Sequence, residues 1–70
     1  MYYLVDLRKE RMLSQNELGK IMNVSGSAIA MYETGKRSPS LKRALKFSEY
    51  FNIPLEQIKF SKENKNKSKD

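Results

Sequence analysis

Residues 13–41 read LSQNELGKIMNVSGSAIAMYETGKRSPSL, and this stretch contains start and stop signals for two consecutive helices. Ser14 and Glu17 have the spacing of a capping box, in which each side chain bonds the other residue's backbone amide. Asn23 is one of the few non-glycine residues that tolerate the left-handed conformation in which helices end. Ser25 is a strong N-cap for the next helix, and Gly35 is a natural stop. The stretch therefore predicts helices over residues 15–22 and 26–34, joined by a three-residue turn.

On both sides of this pair the apolar residues also recur at helical spacing, without sustained alternation. A first helix is predicted from about Tyr3 to Met12. A fourth begins at Leu41 after Pro39 and Ser40, ends near Asn52, and has these residues spaced for burial: Leu41, Ala44, Leu45, Ser48 and Phe51. A short fifth helix is predicted to begin at Pro54 and to carry Leu55 and Ile58. The fold class is therefore all-α, a compact bundle of five helices.

The composition limits what this chain can do. Its 70 residues allow one small domain, and it contains neither cysteine nor histidine. Thiolate metal sites and the commonest general base are thus excluded, so we expect no enzymatic activity, no metal and no cofactor. The apolar run Met1–Val5 is too short for a membrane span or a signal segment, so we expect no membrane association and a cytoplasmic location.

The net charge of +6 is unevenly distributed along the chain. Residues 59–70 contain five lysines, at 59, 62, 65, 67 and 69, against two acidic residues. The segment 61–70 has no apolar residue and is predicted to be a disordered, lysine-rich tail after a folded domain of residues 1–60. We favour a solubilising role for this tail over a DNA-binding arm.

A pair of short helices with a tight turn is the helix-turn-helix arrangement, whose second helix can enter a DNA major groove. At 100° per residue, with Ile29 facing the core, the outward face of that helix comprises Ser27, Ala30, Met31 and Thr34, with Gly26 at its start. We therefore interpret these five residues as the face offered to DNA bases.

This sequence closely resembles the lambda-repressor-like helix-turn-helix family, also called Cro- or XRE-type. The resemblance covers about residues 3–60 and rests on motifs at the expected separations: Ser-Gln-x-Glu-Leu from Ser14, Val-Ser from Val24, Tyr-Glu-x-Gly from Tyr32 and Pro-Ser-Leu from Pro39. It implies a sequence-specific, DNA-binding transcriptional regulator of the bacterial or phage repressor type. Its partner would be double-stranded DNA, bound as a homodimer.

The resemblance also implies roles for individual residues. Gln15 and Ser25 resemble the residues that contact phosphates at helix N-termini, although simple exposure and simple capping would also explain them. Lys36 and Arg37 resemble the basic loop beside the groove, or are a solvated charge pair. Arg8 and Glu33 resemble an inward ion pair between the first and third helices.

Three features depart from the family pattern. Asn23 stands in place of a glycine, and Gly19 in place of an alanine, which should weaken its helix by about 1 kcal/mol. The predicted reading face also lacks the Gln, Arg, Lys or Asn that pair with base edges, and residues 21–35 contain no basic residue. A second hypothesis therefore remains open, in which the fold binds another regulatory protein through its apolar third helix. For a dimer surface, Ile58 and Phe60 are the candidates, with closure of the monomer core as the alternative.

Overall fold

A computed structural model of the protein describes residues 1–62. Four α-helices form the body of the fold, with bounds α1 Leu4–Glu10, α2 Gln15–Met22, α3 Gly26–Thr34 and α4 Leu41–Phe51. Two short strands, β1 Tyr2–Tyr3 and β2 Ile58–Lys59, pair in parallel, with Tyr2 opposite Ile58 and Tyr3 opposite Lys59. Residues 63–70, and with them most of the predicted lysine-rich tail, lie outside the described residues.

The predicted helix signals occur at the ends of α2 and α3. Ser14 Oγ accepts from the Glu17 amide over 3.0 Å, and Glu17 Oε1 accepts from the Ser14 amide over 2.8 Å, so the capping box is complete. Asn23 has a φ of 63°, and Ser25 Oγ accepts from the Ala28 amide over 3.0 Å. The predicted bounds of both helices are thus confirmed.

The core lies where the four helices meet. Each helix supplies one of the largest fully buried side chains: Leu4, Leu18, Ile29 and Phe47. Phe47 meets Tyr32 and Phe60 edge to face, with ring centroids 6.1 and 5.4 Å apart. The fold is held by one shared apolar centre, which orients the α2–α3 pair against α1 and α4.

The prediction of a fifth helix was wrong. Pro54 has an extended ψ of 141°, and only a single 3₁₀ turn, Leu55–Gln57, follows it. Ile58 is then extended and pairs with Tyr2, which places Ile58 and Phe60 on the same face of the chain. Both side chains pack against the core, and this requires an extended chain from Ile58 onward. Only Leu55–Gln57 remain between Pro54 and this extended segment, and three residues are too few to form a stable helix. Ile58 and Phe60 thus close the monomer core.

The first and fourth helices differ from prediction in smaller ways. The helix α1 is shorter than expected because Tyr3 belongs to β1 and Met12 has a left-handed φ of 57°. In α4 the buried face is formed by Ala44, Phe47 and Phe51. Leu41 and Leu45, predicted to be buried, are 69% and 47% exposed because they lie on the next face of the helix.

Candidate nucleic-acid interface

The turn between α2 and α3 brings the two helices into close backbone contact. The Val24 amide donates to the Gly19 carbonyl over 2.8 Å, as in a helix that ends on a left-handed residue. A Cβ atom at Gly19 would lie 2.6 Å from the Val24 carbonyl oxygen and 3.0 Å from the Ser25 carbonyl carbon. Glycine at position 19 therefore allows the turn to fold directly over α2.

A buried ion pair sets the position of α3 relative to α1. Arg8 Nε donates to Glu33 Oε2 over 2.6 Å, Arg8 Nη2 donates to Glu33 Oε1 over 3.2 Å, and Arg8 Nη1 donates to the Leu13 carbonyl over 2.8 Å. Both side chains are almost fully removed from solvent. Because a buried charge needs a partner with good geometry, this two-pronged contact favours one orientation of α3 over others.

Gln15, predicted to contact a phosphate, belongs to the same network. Its Nε2 donates to Glu33 Oε1 over 3.1 Å, and the residue is half-buried at the first position of α2. One amide hydrogen and the side-chain oxygen are not used by this bond, since a carboxamide has two donors and one acceptor oxygen. The geometry is compatible with a phosphate contact and adds a structural role that the sequence did not reveal.

The predicted base-facing residues lie together on the outer side of α3. A shallow depression is lined by Ser27, Ala30, Met31, Thr34 and Lys36, and Met31 is 39% exposed. The Thr34 hydroxyl donates back to the Ala30 carbonyl over 3.0 Å. Because that hydroxyl has one hydrogen, Thr34 can offer a partner only an acceptor oxygen and a methyl group.

The predicted phosphate-contacting residues flank this face. Ser25 is exposed at the start of α3, where its oxygen caps the helix. Lys36 and Arg37 are exposed immediately after Gly35, the residue that ends α3. Among residues 1–62, neither of these two cations forms an ion pair. An apolar face is thus bordered by a capped N-terminus at one end and by positive charge at the other.

Two features of this region were missed by the sequence analysis. The first is a cleft of about 200 Å³ lined by Asn23, Ser40, Lys42, Arg43 and Lys46. Arg43 Nη1 donates to the Met22 carbonyl over 3.0 Å and so caps the end of α2. Three cations within five residues were a visible signal, but the contact with α2 depends on how the helices pack.

The second missed feature joins Asn16 of α2 to Gly26, the first residue of α3. A Cβ atom at Gly26 would overlap Asn16 Oδ1 and would lie 2.9 Å from Asn16 Cγ and 3.2 Å from Asn16 Cα. The carboxamide of Asn16 therefore occupies the space in which the side chain of residue 26 would begin. These two residues are ten positions apart, and no sequence pattern links them.

Within the described residues, no helix has both the length and the hydrophobicity needed to cross a membrane. The longest, α4, has 11 residues, compared with about 20 for a membrane span.

Comparisons with known proteins agree with this geometry. The chain is similar to two proteins called uncharacterized HTH-type transcriptional regulators, over 46 and 53 aligned residues respectively. One is from Methanocaldococcus jannaschii, at 41% identity over 66% of this chain and 70% of the relative, and one is from Archaeoglobus fulgidus, at 38% identity over 76% and 75%. The transcriptional repressor RstR of the cryptic phage CTXphi, from Vibrio cholerae, is 32% identical over 76% of this chain and 48% of its own length.

No solved structure gives a significant match to this chain. The family model described as "Helix-turn-helix" matches residues 4–58, which span all four helices and the 3₁₀ turn. That match includes the capped α2–α3 pair, its turn and the ion pair behind it. The chain therefore belongs to the lambda-repressor-like (Cro/XRE-type) helix-turn-helix family.

Proposed function

We propose that this chain is a sequence-specific, DNA-binding transcriptional regulator that docks α3 in the major groove. The observation that carries the proposal is the exposed outer face of α3, held in one orientation by the Arg8–Glu33 pair. The nine residues of α3 span about 13 Å, which suits a groove about 12 Å wide. Lys36 and Arg37 lie at the end of this helix, where they can neutralise backbone phosphates.

Randomised-site selection with the full chain tests this proposal. A regulator that reads sequence should enrich one motif and bind it with a dissociation constant of about 10⁻⁸ M or lower at physiological salt. Failure to enrich any motif over repeated rounds would overturn the proposal.

We propose that the regulation is repression, because one of the relatives is called a transcriptional repressor. A reporter promoter that carries the selected site should lose activity when the protein is expressed. A promoter with a scrambled site serves as the control. Increased activity from the intact site would show an activator instead.

We also propose that two copies bind a two-fold symmetric site, whose half-sites would lie about 34 Å apart, one turn of the DNA helix. Leu41 and Leu45 are the candidate contact surface, since they lie one turn apart on α4 and both are exposed. Mass measurement of the complex should give two 8.2 kDa chains per selected site. Leu45→Lys should reduce this number to one, and a single wild-type chain per site would contradict the dimer.

A protein partner is the second candidate function, favoured by the exposed Met31 and by the lack of basic residues in α3. Ser27→Glu separates the two functions. If α3 docks in the groove, DNA should repel the carboxylate of this variant, and affinity for the selected site should fall steeply. If DNA retention were unchanged in this variant, the outer face of α3 would be free for a protein.

A further inference from the structure

We propose that Asn16, on α2, reads a DNA base in place of a side chain at the first position of α3. The inference rests on the proposed function, since it concerns the specificity of the same interface. The first residues of a recognition helix contact base edges in this class of fold. Here that place belongs to Gly26, which has no side chain to offer.

The space beside Gly26 is filled by Asn16. Its Oδ1 atom would overlap a Cβ atom on residue 26, and its Cγ would lie 2.9 Å from that Cβ. Even the Asn16 Cα would be only 3.2 Å away, so α2 itself approaches α3 closely at this point. Glycine at position 26 is therefore what admits the carboxamide of Asn16 to the start of α3.

The carboxamide of Asn16 is available for a ligand. Asn16 is exposed, and among residues 1–62 its side chain makes no hydrogen bond. The adjacent Gln15 differs, because its amide already donates to Glu33. Around the start of α3, the free polar side chains beyond the capping Ser25 are thus the Asn16 carboxamide and the Ser27 hydroxyl.

The chemistry of a carboxamide indicates which base it would recognise. Adenine presents the N7 acceptor and the N6 amino donor side by side in the major groove, and an asparagine pairs with both at once. Small residues at Gly26 and Ser27 leave room for the two helix ends to approach the groove floor. We therefore expect one adenine in each half-site to be selected through Asn16.

Site selection with four forms of the full chain tests the proposal: wild type, Asn16→Ala, Gly26→Ala and the double variant. Asn16→Ala should lose the preference for one adenine, by roughly 5- to 100-fold against the other bases, and should keep the rest of the motif. Gly26→Ala should lose the same preference because its methyl group displaces the carboxamide. The double variant should lose no more than either single variant.

Replacement of that adenine by 7-deazaadenine removes the N7 acceptor and gives a second readout. It should weaken the wild type and leave Asn16→Ala unaffected. Gln57→Ala, an exposed amide outside the helix pair, is the matched control and should retain the wild-type motif. Thermal unfolding of each variant separates a loss of contact from a loss of folding.

Two results would overturn the proposal while the proposed function stands. One is an unchanged motif in Asn16→Ala, and the other is an even loss of affinity for all sequences, which would assign Asn16 to the DNA backbone. If the wild type itself selected no motif, the proposed function would fail first.

Discussion

The side-chain amide of Gln15 donates a hydrogen bond to Glu33 Oε1 over 3.1 Å, and so joins the first residue of α2 to the last turn of α3. The same oxygen accepts from Arg8 Nη2 over 3.2 Å. One carboxylate thus ties together α1, α2 and α3. A phosphate bound at Gln15 would act on the group that orients the recognition helix.

This network predicts a strong dependence of stability on both charged partners. Arg8→Met leaves Glu33 buried without its cation and should lower the free energy of unfolding by about 3–5 kcal/mol. The double variant Arg8→Met, Glu33→Leu removes both charges and should lose less than Arg8→Met alone. Urea unfolding followed by circular dichroism measures both values. A double variant less stable than Arg8→Met would contradict the prediction.

Gly19 gives a prediction in which packing opposes helix propensity. Propensity alone suggests that Gly19→Ala gains about 1 kcal/mol. In the structure the new methyl group would lie 2.6 Å from the Val24 carbonyl oxygen, so the turn must shift to admit it. We therefore expect no gain, or a net loss, in the free energy of unfolding. A rise of several degrees in the melting temperature would contradict this expectation.

At Met12, in contrast to Gly19, we expect a substitution to stabilise the fold, because the backbone there is left-handed and glycine adopts that conformation more readily than methionine. Its φ is 57° and its side chain is 88% exposed, so replacement by glycine removes little packing. Met12→Gly should raise the free energy of unfolding by about 0.5–1 kcal/mol, or the melting temperature by about 2–8 °C. The matched comparison is Gly35→Ala, which should destabilise because Gly35 has a φ of 82° and lies against Ser61. Equal shifts of the same sign in the two variants would refute the argument.

The sequence predicted the parts of the fold that depend on local chemistry. The Ser14 box, the Asn23 turn and the Ser25 cap involve residues within a few positions of one another, so a single stretch contains the whole signal. The prediction of a helix at Ile58 failed because the conformation of this residue is decided by its pairing with Tyr2, more than fifty residues away. Apolar spacing at 3.6 residues cannot distinguish a short helix from an extended segment that returns to the core.

The same distinction between local and long-range signals applies to the candidate interface. The outward face of α3 follows from helix periodicity once Ile29 is placed inside. The contact of Asn16 with Gly26, and the bond from Gln15 to Glu33, depend on the crossing of two helices and have no sequence period. The roles of Gly19 and Gly26 likewise depend on the atoms that the helix crossing places beside each glycine.

Lys36 and Arg37 predict how DNA binding depends on salt. Each phosphate contact that is lost should reduce the slope of log affinity against log salt by about 0.9. Alanine at both positions should therefore weaken binding evenly across sequences and reduce the slope by about 2. Lys9→Ala, an exposed lysine on α1, is the control and should leave the slope unchanged. Titrations at several salt concentrations measure the slope, and a change of motif in the double variant would mean that these residues read bases.

The apolar residues Ala30 and Met31 at the middle of the outer face of α3 lead us to predict that the protein recognises the C5-methyl group of thymine. Ala30 and Met31 present hydrocarbon on the outer face of α3, which we propose enters the groove, and the Thr34 hydroxyl is turned back to the Ala30 carbonyl. A thymine methyl is the one apolar group that a base offers there. Deoxyuridine in place of thymine at the contacted step should weaken binding about 3- to 10-fold, because one buried methyl contributes about 0.8 kcal/mol or slightly more. Met31→Ala should reduce this penalty, and equal affinity of the wild type for both bases at every thymine would show that these side chains do not touch the methyl groups.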